Sequence, residues 1–149
     1  MSHKHQAESL RQVVRIRDLQ RAGAEAAAAR ARVRLRETAE AVIEQENARR
    51  AAEADWLEAL SVPCPCLEIL PLFSGALVRR DVLVRRAEAE ATDASEYLSN
   101  RMTLWREAIH RHDAARASAR KVAKRLARQD EEEALQDGAD MFLQRWGRR

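Results

Sequence analysis

The chain has 149 residues, of which 4% are aromatic and 34% charged, and alanine supplies much of its 46% hydrophobic fraction. Too few large side chains remain to fill a compact core, which excludes an ordinary globular domain but suits helices that each bury one narrow stripe. The 27 basic and 24 acidic residues nearly cancel to a net charge of +3, so bulk charge alone does not call for nucleic acid or anionic lipid.

The chain opens on polar residues, Met1 to Gln6, with no apolar signal-like region and no small-residue cleavage site, so a cytoplasmic protein is expected. Residues 1 to 8 are expected to fray. Ser9, followed three positions later by Gln12, reads as a capping box, which predicts a first helix from Leu10 to about residue 60. A seven-residue register runs through Val14, Arg21, Ala28, Leu35, Val42, Arg49 and Trp56. Between them fall Leu10, Arg17, Ala24, Ala31, Thr38, Gln45 and Ala52, the alternation of three and four that marks a and d positions of a coiled coil. The run Ala22 to Ala31 is nearly all alanine with one glycine, so two backbones can approach closely there and the helix pair should be slender.

All three prolines, Pro63, Pro65 and Pro71, fall in the next stretch, and a proline inside a helix costs about 3 kcal/mol. The first helix must therefore stop, and residues 61 to 73 are predicted to form a Pro-rich tip. The surrounding run from Val62 to Val78 is the most apolar in the chain, but it is too short and too interrupted to span a bilayer. From residue 74 to 137 a second helix is predicted on a stronger register: Leu77, Val84, Ala91, Leu98, Trp105, His112, Ala119 and Leu126, with Ala87, Ala94, Arg101, Ala108, Ala115 and Val122 between. Residues 138 to 149 are an extension carrying Met141, Phe142 and Trp146. Two long amphipathic helices joined by one short connection fold back as antiparallel neighbours. The predicted fold is all-α: a single elongated, long antiparallel two-helix coiled-coil hairpin over residues 1 to 149.

No residue pattern offers activated chemistry. There is no Gly-rich phosphate loop, no nucleophile elbow and no pair of carboxylates set in an apolar pocket, so the expectation is a non-enzyme with no catalytic residue and no cofactor. Cys64 and Cys66, one residue apart, cannot alone complete the four-ligand set of a structural zinc. They read as small apolar residues at the tip in a reducing compartment, the alternative being a metal shared between two chains. His110 and His112 point about 200° apart on a helix and cannot share a metal, and His3 and His5 sit in the polar tail, so no metal site is expected. The charge does have a pattern: Arg116, Arg120, Lys121, Lys124, Arg125 and Arg128 form a run without an acid, and Asp130 to Asp140 a run without a base. That switch reads as a solvated helix face or as a basic collar for an acidic protein surface; nucleic acid is disfavoured because no stacking aromatics or binding motif accompany it. Trp56 and Trp105 fall on the registers and are expected in the interface, whereas Met141, Phe142 and Trp146 lie beyond it, where an apolar cluster meets a partner.

Several local strings carry a family resemblance that spans nearly the whole chain. Val42-Ile43-Glu44-Gln45-Glu46-Asn47 looks like a mid-helix segment, Trp105-Arg106-Glu107 matches a Trp-Arg-Glu string, and Asp140-Met141-Phe142-Leu143-Gln144-Arg145 resembles an acidic-aromatic-basic ending, all of the FliJ/YscO family. These are the small coiled-coil stalk proteins of the type III secretion ATPase, flagellar or injectisome. The resemblance implies a central stalk whose chain ends enter a hexameric secretion ATPase and whose flank touches the export-gate membrane protein, promoting ATPase assembly or turnover and protein export. On that implication the ATPase contact falls to Arg17, Arg21, Arg120, Lys121, Lys124, Arg125, Met141, Phe142, Arg145 and Trp146. The gate contact falls to Val42, Gln45, Arg49, Phe73 and Leu77, although Gln45 and Arg49 stand where the family can have aromatic residues, and the Pro-Cys-Pro-Cys tip is not a family feature. Export chaperones are a further class of implied partner. The location implied is cytoplasmic, peripheral at the inner face of the membrane through the export apparatus. The competing readings are a structural coiled-coil interaction protein and a basic helical nucleic-acid-binding protein.

Overall fold

The computed structural model describes residues 3–63 and 67–146 and is all-helical, with 96% of those residues in two long helices packed against each other. Helix α1 spans His3–Ser61 and helix α2 spans Leu70–Trp146. Cys64 and Cys66, which the sequence places at the tip, lie outside the described residues.

Both inner helix ends follow from the prolines. Ser61 Oγ donates to Glu58 O at 2.8 Å, satisfying one of the carbonyls that the last turn leaves without a partner, and Pro63 follows after Val62. On the other side, Phe73 N donates to Ile69 O at 3.4 Å, so Pro71 sits in the first turn of α2, where a missing N–H costs nothing.

The outer end of α1 extends further than the sequence suggests. Ser9 does not cap α1: its hydroxyl donates back to His5 O at 3.0 Å, an interior pattern, and the helix already runs from His3. No proline or glycine separates the polar start from the amphipathic segment, so the helix simply continues through it. At the far end Gly138 takes no positive φ and α2 passes through it to Trp146, the two further turns that the segment Ala139 to Trp146 allows before Gly147.

Packing divides the chain into two compact units, Met1–Ala24 with Trp105–Arg149, and Glu25–Leu104. Two helices give each residue only local neighbours, so contacts accumulate piecewise along them. In the unit Glu25–Leu104 the core is made of small residues: Ala28, Ala31 and Ala94 are each 2% exposed, with Ala87 and Val84 also buried. Around it Arg32 Nη2 donates to Met102 Sδ at 3.3 Å, and Arg49 Nε lies 3.9 Å from Asp81 Oδ1. In the other unit the most buried side chain is polar, His112, on a seam with half-buried Val14, Arg17, Trp105, Ala119 and Leu126.

Every residue assigned to the four seven-residue registers is buried or half-buried, which confirms the helix faces that the sequence selects. Within the alanine run Ala22 to Ala31 the tight packing falls to Ala28 and Ala31, whereas a Cβ built on Gly23 meets nothing within 4 Å.

Two stability predictions follow from this seam. Because Gly23 has a helical backbone and open space, Gly23→Ala should stabilise the protein by about 0.5–1 kcal/mol in chemical denaturation. Leu98 is half-buried on the seam, so Leu98→Ala should cost near the low end of the roughly 2–5 kcal/mol typical of buried leucine. Ala91→Ser on the same register should lower the melting temperature far less, and equal effects of the two changes would show that the register is misdrawn.

Candidate functional site

The unit formed by Met1–Ala24 and Trp105–Arg149 gathers most of the sequence-predicted contact residues. Arg17 and Arg21 lie on the α1 seam, half-buried rather than projecting freely. Arg17 Nη1 donates to Gln20 Oε1 at 2.9 Å, and Arg21 Nη2 pairs with Asp18 Oδ1 at 3.1 Å. The same Asp18 oxygen lies 3.7 Å from His112 Nε2, while His112 Nδ1 is 3.1 Å from Asp113 Oδ1. A buried imidazole thus sits between two carboxylates on the seam.

On α2 the basic run is exposed at Arg120, Lys121, Lys124 and Arg125. Arg120 also borders an open groove of about 560 Å³ whose floor is Ala7, Val14, Ala119, Ala123 and Leu126 and whose rim carries Arg11, Arg116 and Asp130. An apolar floor with a mostly cationic rim suits an amphipathic acidic segment.

Beyond Leu126 the helix changes character. Continuing the two registers leads to Gln129, Glu133, Gln136 and Asp140, all polar and all exposed, so the face that packs on α1 ends there. The apolar residues move to Leu135, Ala139, Phe142 and Trp146, again spaced four, three and four. Leu135 lies two positions after Glu133, about 200° around a helix of 3.6 residues per turn. The new stripe therefore faces away from the old seam. Its side chains are open to solvent, Leu135 at 75% and Trp146 at 73%, and Phe142 and Trp146 stack with ring centroids 6.1 Å apart. Met141 is exposed beside them, and Arg145 is exposed one position before Trp146.

The predicted gate residues fall in the unit Glu25–Leu104, all of them half-buried. Val42, Gln45 and Arg49 lie on the α1 seam, where Arg49 also pairs with Glu53 at 3.6 Å, and Phe73 and Leu77 lie in the opening turns of α2. Each is thus only partly open to solvent.

Among the described residues no group of three or more His, Cys, Asp or Glu side chains is placed to hold a metal, and no helix is long and apolar enough to cross a membrane. Comparison with protein-family models, curated proteins and solved structures finds no match to this chain.

The register places His112 on the seam, where it is buried, but nothing in the sequence shows its pairing with Asp18 and Asp113. Sequence reasoning read Met141, Phe142 and Trp146 as a cluster without seeing that Leu135 and Ala139 extend them into a stripe.

His112 is a buried polar side chain where an apolar one would pack better, and its Asp18 contact is too long for a good hydrogen bond. His112→Leu should therefore raise stability by about 1 kcal/mol in a thermal melt followed by circular dichroism. A lowered melting temperature would mean that the Asp18 and Asp113 carboxylates hold the unit together through this ring.

Proposed function

We propose that this protein is an antiparallel coiled-coil hairpin acting as the central stalk of a type III protein export ATPase complex. The observation that carries the reading is that both terminal segments share one packed unit, where the basic run and the solvent-open Leu135–Trp146 stripe are found together. The pairings of Arg32 with Met102 and Arg49 with Asp81, in which the α2 partner falls as the α1 residue rises, support the antiparallel arrangement.

A shaft that enters a ring must present its chain ends together. Here Arg120, Lys121, Lys124 and Arg125 form a cationic band that would orient the end in a charged bore, and such steering weakens with salt. Met141, Phe142 and Trp146 would supply the contact that survives salt, since desolvated aromatic anchors dominate binding energy. Arg17 and Arg21 act on this reading through the seam, holding α1 against α2, with Arg145 flanking the aromatic pair. Val42, Gln45, Arg49, Phe73 and Leu77 are the proposed contacts to the export-gate membrane protein. The protein would then work in the cytoplasm at the inner face of the membrane, with export chaperones as a further class of partner and no catalysis of its own.

The decisive experiment is stimulation of the cognate hexameric ATPase. Reversing Arg120, Lys121, Lys124 and Arg125 to Glu, or substituting Phe142→Ser with Trp146→Ser, should abolish stimulation while helix content and melting temperature stay close to the parent, because these side chains are exposed. Retained stimulation by both variants would move the contact away from this end of the chain.

A further inference from the structure

We propose that Arg30, Arg34 and Arg101, in the unit Glu25–Leu104, form a binding site for a phosphate-type oxyanion. This site is separate from the ATPase and gate contacts and does not depend on them.

The three arginines line an open pocket of about 280 Å³ with Tyr97 and the small side chains Ala27 and Ala31. That space is ample for a phosphoryl group. The alanines create it: with no side chain beyond Cβ they leave a hollow beside the tight Ala28–Ala31–Ala94 packing, and the longer arginines rise around it.

None of the three guanidiniums has a carboxylate within 4.0 Å, whereas Arg86 in the same unit pairs with Glu90 at 3.0 Å. The sequence shows why. Arg30 and Arg101 have no acid three or four positions away on either side, and Arg34, with Glu37 three positions on, makes no ion pair with it. Arg30 and Arg34 instead stand four apart, a like-charge spacing that slightly destabilises a helix. Arg101 is held in place by its own helix, its guanidinium lying 4.8 Å from the Tyr97 ring centroid. An uncompensated cationic cluster of forked donors around a hollow, with Arg101 positioned by Tyr97, matches an oxyanion able to take several bidentate hydrogen bonds.

The test is titration calorimetry of the full chain with sodium pyrophosphate at low ionic strength, against potassium chloride matched for ionic strength. The parent should bind pyrophosphate one-to-one, and Arg30→Gln with Arg34→Gln should weaken binding by about tenfold or more. Arg86→Gln, which removes an arginine already paired, should change it by less than about twofold. Thermal melts give a second, independent reading. Without pyrophosphate Arg34→Gln should melt slightly above the parent, because the like-charge pair is relieved, and with pyrophosphate it should melt below. Adding tripolyphosphate and ATP separates the sources: equal affinity assigns the site to the phosphoryl group alone, and tighter ATP assigns it to a nucleotide. Equal weakening by Arg86→Gln, or parent binding no tighter than that of the double variant, would overturn the proposal by reducing it to diffuse charge.

Discussion

The structure depends on one constraint: with only two helices, each can bury a single stripe, and here that stripe is narrow and mostly alanine. Ala28, Ala31 and Ala94 are as buried as any described residue, and among the described residues no large side chain is fully buried. Small residues let the backbones approach but remove little apolar area from water per turn, and burial contributes only about 25 cal/mol per Å². Stability must then accumulate over many weak, repeated contacts along two long helices. The same geometry leaves large apolar side chains such as Leu19, Leu67 and Leu135 in solvent, because there is no third layer to cover them.

Against that thin background the polar seam residues carry disproportionate weight. Arg17, Arg21, Gln45, Arg49, Arg101 and His112 occupy positions where a strong coiled coil would place Leu or Ile. Arg21 Nε and Gln45 Oε1 are buried without a hydrogen-bond partner, which costs stability rather than adding it. Polar groups of this kind restrict which register the helices can adopt, since a slip would strand them against apolar neighbours. The arrangement fits a protein selected for a defined alignment and for surfaces presented to others more than for a tightly sealed interface.

The helix faces were legible in the sequence because a heptad register is a periodic signal averaged over many turns, so single exceptions such as Arg49 do not obscure it. The helix ends were not, because they rest on single residues. Ser9 carries a capping pattern, yet its hydroxyl bonds backwards to His5 O, and Gly138 carries a stop signal that no left-handed backbone realises. A cap motif raises the likelihood of an end only where the preceding residues cannot continue the helix, and here they can. The candidate site was half legible: the charge switch between Arg128 and Asp130 is visible as composition, whereas the grouping of Arg30 and Arg34 with Arg101 is a matter of which turns meet across the pair.

The change of face beyond Leu126 decides what the far part of α2 can do. Had the apolar register continued through residues 129, 133, 136 and 140, this segment would present the same face as the part that packs on α1, and a new partner would compete with α1 for it. Gln129, Glu133, Gln136 and Asp140 make that face hydrophilic, so extending the intramolecular seam would bury two carboxylates at a cost no alanine contact offsets. Leu135, Ala139, Phe142 and Trp146 instead lie on a different side of the same continuous helix. A partner helix or surface can therefore engage the stripe while α1 keeps its hold upstream, and neither interaction has to break for the other to form. One uninterrupted helix thus carries two apolar faces in series, separated by a short charged band, one packed on α1 and one open to solvent.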